Sequence, residues 1–178
     1  REIGIGFTGS FQNAFIKYQL YIMNGFIGYD GEGKFSGQYA LRKGRQKGAK
    51  AIINTPSFSG KLDFYGIRGL NIGVAAYSGK SASTLYNKAE KDNDAALMES
   101  DSSIVGITMF AFDYRYSIAG FTSRGEIAYG NFTNTSQYNQ FTGKDFGNSM
   151  FGWYLEAAYD IFNPFRNISS SLTTFIRY

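Results

Sequence analysis

The chain has 178 residues, 18 Lys and Arg against 14 Asp and Glu, no His, no Cys and a formal charge of +4. Those absences remove disulfides, thiolate chemistry, His-based triads, His general bases and imidazole metal ligands. The charge excess is too small to imply nucleic-acid binding, and apolar runs such as residues 73–77 are far too short for a transmembrane helix.

The apolar content is unusual in kind. Tyr (14), Phe (17) and Gly (22) are abundant while Pro is scarce (2), a balance that suits strands. No signal peptide is visible at Arg1, so a secreted chain is expected to be mature or incomplete.

Apolar and polar residues alternate in about eight runs. In residues 2–9, Ile3, Ile5 and Phe7 oppose Glu2, Gly4, Gly6 and Thr8. In residues 13–24, Ala14, Ile16, Tyr18, Leu20 and Ile22 oppose Phe15, Lys17, Gln19 and Tyr21. Around Arg68-Gly69, Leu62 and Phe64 oppose Lys61, Asp63 and Tyr65, and Leu70, Ile72, Val74 and Ala76 oppose Asn71, Gly73, Ala75 and Tyr77. The fifth run, 104–116, sets Phe110, Phe112, Tyr114 and Tyr116 against Asp113 and Arg115, and the sixth sets Phe121, Ile127 and Tyr129 against Thr122, Arg124 and Glu126. The seventh is the clearest: Phe151, Trp153, Leu155, Ala157, Tyr159 and Ile161 against Gly152, Tyr154, Glu156, Ala158 and Asp160. The eighth, 172–178, sets Leu172, Ile176 and Tyr178 against Thr173, Phe175 and Arg177.

A soluble β-sandwich also alternates. These faces, however, run for five or six alternate positions, the length of a tilted span of roughly 9–11 residues, with aromatics near the strand ends. The connectors agree. Tight turns are expected near Ser10-Phe11-Gln12, at Arg68-Gly69 and at 117–120, and long loops at about 25–57, 80–103 and 133–148. Short and long alternate strictly, as periplasmic turns and extracellular loops do in outer-membrane barrels. The fold expected is therefore all-β: a transmembrane antiparallel β-barrel in one domain over 1–178. The same parity puts both chain ends on the extracellular side, whereas intact barrels of this class are expected to begin and end in the periplasm. A partial chain, roughly half of a larger barrel, is expected; the alternative is a complete eight-stranded barrel.

The stretches FIKYQLYIMNGF (15–26), LRKGRQKGAK (41–50), KLDFYGIRGLNIGVAAYSGK (61–80), DSSIVGITM (101–109) and GWYLEAAYDIF (152–162) resemble, in order, the phosphate-selective porin O and P family of Gram-negative outer membranes. The resemblance implies a barrel of about sixteen strands, usually a homotrimer, that passes small anions including phosphate. It implies the middle and later part of such a barrel here. The family's ladder of arginines has no matched motif in this chain and is not carried over.

In a pore the polar strand faces line water. The pore-lining candidates are Lys17, Lys61, Asp63, Asp113, Arg115, Arg124, Glu126, Glu156, Asp160 and Arg177, with Glu2 on the same face. Cations and anions nearly balance there, so the strands alone predict weak charge selectivity. Arg42, Lys43, Arg45, Lys47 and Lys50 break the balance in the first long loop. Folded into the lumen they attract anions at a constriction, where Arg holds phosphate through paired hydrogen bonds. Left outside they are solvated or contact lipopolysaccharide. This run lacks the spacing of a P-loop.

The loop at 80–103 is acidic in its second half. Asp92, Asp94 and Asp101 are a weak Ca²⁺ candidate without the spacing or Gly of an EF-hand, and a solvated loop is the plainer reading. Asn131-Phe132-Thr133 and Asn167-Ile168-Ser169 match glycosylation sequons that are accidental in a bacterial barrel. No cofactor is expected, and no enzyme, since carboxylates alone would have to serve as general bases. The function expected is passive diffusion of small hydrophilic solutes across the outer membrane, with a preference for anions. The alternative is a closed structural or adhesive barrel acting through its loops.

Overall fold

The computed structural model describes residues 3–48, 51–87, 94–165 and 170–178. Eight strands form one antiparallel sheet in which sequence neighbours are spatial neighbours. They are β1 (Gly4–Phe11), β2 (Ile16–Asn24), β4 (Pro56–Ile67), β5 (Leu70–Lys80), β7 (Gly106–Ile118), β8 (Phe121–Thr133), β9 (Ser149–Asp160) and β10 (Thr173–Arg177). Two short segments, β3 (Ile27–Tyr29) and β6 (Ala82–Ser83), pair in parallel outside that sheet. Helices α1 (Asp94–Ser102) and α2 (Thr135–Thr142) lie in the second and third long connectors. The class is all-β.

The alternation read from the sequence becomes two chemically distinct faces, because directly paired residues of an antiparallel ladder share a face. One register row joins Phe7, Leu20, Gly60, Ala76, Phe110, Tyr129 and Phe151. The next joins Tyr18, Leu62, Val74, Phe112, Ile127 and Trp153. Most of these large side chains are exposed, Phe7 at 66%, Phe110 at 57% and Phe151 at 63%. An apolar face left bare over so many strands is far larger than a water-facing patch.

The turns between β1 and β2, β4 and β5, and β7 and β8 gather at one end of the sheet, where β9 also leaves toward β10, and the three long connectors leave from the other. The first turn falls later than expected: pairing continues to Phe11↔Ile16, so the chain reverses through a 3-10 turn at Gln12–Ala14 with Phe15 left-handed (φ 54°). Arg68-Gly69 joins β4 to β5, and Ala119-Gly120, both at positive φ (47° and 81°), joins β7 to β8 as the right-handed strand twist favours. The fifth run is also displaced: Ile104 and Val105 precede the strand, and Val105 is fully buried among the connectors. In the ladder, the end of β1 at Phe11 aligns with Leu155, while β9 runs on to Asp160. That offset across six inter-strand steps gives a turn-end line inclined by about 30°. Among the described residues, β1 pairs only with β2 and β10 only with β9, so the sheet has two open edges.

The compact core is not between two layers of sheet. It lies at the long-connector end, where Phe35 and Leu41 from the first connector and Tyr138 and Phe146 from the third pack with Val105, Ile107 and Phe132. Ile107 and Phe132 stand on the polar face, paired in the row that contains Gly79. The connectors therefore fold over the polar face, and the polar alternation gives way to apolar residues where they rest.

Candidate functional site

Two adjacent register rows collect the charges of the polar face. One runs Ser10, Lys17, Asp63, Gly73, Asp113, Glu126, Tyr154. The other runs Asn71, Arg115, Arg124, Glu156, Arg177. Residues as far apart in sequence as Ser10 and Arg177 thus form one strip near the turn end.

Within it two ion-pair clusters form. Lys61, one row nearer the connectors, places its ammonium 3.2 Å from Asp63 and 2.8 Å from Asp113. It reaches Asp113 across β5 because Gly73 intervenes: a Cβ there would stand 2.5 Å from the Asp113 carboxylate and 2.8 Å from the Lys61 side chain. Glu156, buried at 8% exposure, accepts from Arg124 Nη2 at 3.1 Å and from Arg177 Nε at 2.7 Å. One carboxylate thereby holds two guanidiniums, leaving positive excess in that cluster. Arg115 sits directly opposite Arg124, is exposed and makes no ion pair among the described residues. Lys17 faces Asp63 in the ladder and places its ammonium 5.2 Å from the Tyr65 ring centroid. Glu126 has no ion pair among the described residues. Asp160 differs from the expectation: its carboxylate accepts from the backbone N–H groups of Phe162 (3.1 Å) and Leu172 (3.0 Å). It closes the connection from β9 to β10, because a chain leaving a strand needs acceptors for freed amides.

Between the strip and the connector core runs a row of small side chains, Ala75, Ala111, Ala128 and Gly152.

The basic segment of the first connector is anchored from its own sequence. Leu41, Gly44 and Gln46 are buried, whereas Arg42, Lys43, Arg45 and Lys47 are exposed. Gln46 clips the loop: its Nε2 donates to the carbonyls of Gly25 (2.7 Å) and Ile52 (3.0 Å), and its Oε1 accepts from Ile52 N–H at 2.7 Å. Lys43 lies 3.8 Å from the Tyr39 ring centroid. No ion pair neutralises these four cations among the described residues. Lys50 and Glu2 lie outside the described residues.

The connectors are tied to one another through long-range contacts. The Tyr138 hydroxyl accepts from Phe35 N–H at 3.0 Å and donates to the Gly28 carbonyl at 2.7 Å. Burial pushes that phenol above its ordinary pKa, against the opposing effect of its contacts with the backbone of Phe35 and Lys34. Asp145 accepts from Gly37 N–H at 2.9 Å. Ser103 Oγ donates to Ser83 Oγ at 2.6 Å, and Asn134 Nδ2 donates to the Ile104 carbonyl at 2.9 Å. Tyr138, Asp145 and Gln46 carry no motif, and sequence reasoning missed them. The row of small residues was missed as well, since only the register aligns Ala75, Ala111, Ala128 and Gly152.

The Ca²⁺ candidates do not converge. Asp94 opens α1, the Asp101 carboxylate accepts from the Tyr86 hydroxyl, and Asp92 lies outside the described residues. Among the described residues no three carboxylates gather. Of the sequons, Asn131-Phe132-Thr133 lies in β8 with Phe132 buried, and the other falls outside the described residues.

The chain is 28% identical over 173 residues to an uncharacterized protein of Aquifex aeolicus (strain VF5); the match covers 92% of this chain and 35% of that protein. The chain thus spans about a third of the length of this relative. No family model matches the chain, and no solved structure matches it.

Proposed function

We propose that the chain forms part of an outer-membrane porin through which small hydrophilic solutes diffuse, with a preference for anions such as phosphate. The observation that carries this reading is the division of the sheet: an exposed apolar face against a charged face on which the long connectors fold. Lipid in place of water makes the first face stable, and a water-filled interior makes the second stable.

The dimensions support it. Along β7 the apolar-face residues from Phe110 to Ile118 span about 27 Å of strand, or about 21–24 Å along the axis at a tilt of 30–40°, close to the ~25 Å apolar band of such barrels. The two open sheet edges support closure by further strands over an eight-strand barrel filled by its own side chains, since no open edge survives in hydrocarbon. That weighs against the closed adhesive reading.

The anion preference rests on charge placement. Lys61 and Glu156 organise the strip so that Arg115 and one guanidinium of the Glu156 cluster lack a carboxylate of their own. Four exposed cations of the first connector add to that field on the side where the connectors cover the polar face. The whole protein, reconstituted in a planar bilayer under a KCl gradient, is expected to conduct with a reversal potential displaced toward chloride. A folded protein that inserts and does not conduct sinks the porin reading; conduction with cation preference sinks the anion part alone.

A further inference from the structure

On the apolar face, the rows are interrupted over β4 and β5. Gly60 and Ala76 stand where neighbouring strands carry Leu20 and Phe110. The result is a groove of about 410 Å³ floored by Gly60 and Ala76, walled by Leu20, Phe58 and Phe110, and open toward Ser78. A second cavity of about 340 Å³ lies beyond it at the connector end, lined by Asn54, Thr55, Lys80, Ser81 and Tyr86. The two follow one another along β5. Pairing is regular to Lys80↔Gly106, so Lys80 has the parity of Ala76 and Ser78 and stands on the apolar face about 7 Å beyond Ser78. Lys80 is exposed and makes no ion pair among the described residues.

We infer that this stretch binds one lipid molecule whose phosphate headgroup carries a net negative charge, its acyl chain in the Gly60–Ala76 groove and its phosphate on Lys80. The order of chemistry is that of such a lipid: an apolar slot, a hydroxyl at Ser78, then a cation among hydroxyl and amide groups at the level where the apolar band ends. A groove alone suits any apolar knob, including a second copy of the chain. An uncompensated ammonium at its mouth selects an anion, which a lipid phosphate supplies and a purely apolar surface does not. The inference rests on the membrane-barrel reading above.

The test is native mass spectrometry of the whole protein in mild detergent with dioleoyl phosphatidylglycerol and dioleoyl phosphatidylcholine at equal concentration. Phosphatidylglycerol is expected to be retained at least threefold over phosphatidylcholine. Lys80→Gln is expected to remove that preference, and Ala76→Leu, which fills the slot with an apolar side chain, to reduce retention of both lipids. Phe151→Ala, outside the groove, is expected to change neither. Equal retention of the two lipids by the parent, or an unaltered preference in Lys80→Gln, overturns the inference. So does a lipid-free dimer that buries Phe58 and Phe110. Conductance of the same samples separates the two readings: a conducting protein with no headgroup preference overturns the lipid site and leaves the pore. A preference without conductance supports the lipid site and counts against the pore.

Discussion

Replacing Tyr138 by Phe removes one oxygen and tests how the basic connector is held. That hydroxyl accepts from Phe35 N–H and donates to the Gly28 carbonyl, and both Tyr138 and Phe35 are fully buried. The ring keeps its packing against Phe35 and Phe146, at centroid distances of 5.7 and 6.5 Å, so the loss is confined to the two hydrogen bonds. Each costs about 1–3 kcal/mol when its partner is left buried and unsatisfied, and relaxation of the loop relieves part of that. A net cost of about 3 kcal/mol multiplies the open population of the connector by roughly a hundred. The strands carry their own ladders and are not expected to respond. Hydrogen exchange is the assay: amides of residues 26–48 and 134–147 are expected to exchange about a hundredfold faster, with those of β7 and β8 unchanged. Exchange within twofold of the parent would show that the hydroxyl does not anchor the connector. An equal rise in β7 and β8 would show that the connectors and sheet open as one unit, which refutes a separately anchored cap.

Glu156→Gln frees Arg124 and Arg177 together, so the reversal potential in bilayers is expected to move further toward chloride; a move toward cations refutes the charge argument. The quadruple change of Arg42, Lys43, Arg45 and Lys47 to Gln is expected to cut the anion-to-cation permeability ratio at least twofold, and an unchanged ratio places those side chains away from the ion path. Gly69→Ala is expected to lower the unfolding midpoint in lipid vesicles by the equivalent of about 2 kcal/mol, since φ is +77° and a Cβ would stand 2.4 Å from the Ser117 carbonyl; no change refutes the strain. Burial, then the hydrogen bond to Asp101, pushes the Tyr86 phenol up to about 12. Its neutral form is favoured in the folded connector, so its contribution is complete below the ordinary tyrosine value near 10 and is lost between about pH 10 and 12. Alkaline difference absorbance against Tyr86→Phe is expected to isolate a phenol titrating near 12, and titration near 10 refutes the contact.

The strand faces were legible in the sequence because side chains alternate with period two and a one-residue slip exchanges the faces. The opposition of Leu62 and Val74 to Lys61 and Asp63 therefore survives intact in the ladder. Turn positions were legible to within a few residues, since Gly69 and Gly120 accept the positive φ that these turns need, whereas the first turn moved because cross-strand pairing extended β1 to Phe11. The charges of the strip were also legible as residues of one face. Their partners were not: Glu156 meets Arg124 and Arg177, and Lys61 meets Asp113, only because register brings strands far apart in sequence side by side. Asp160 was read as a wall charge, yet local geometry turned it to two backbone amides. The fold of the long connectors over the polar face came from tertiary structure alone. Tyr138 and Phe35 stand 103 positions apart, and no periodicity or turn chemistry links them; only the closure of a buried core around both determines that they meet.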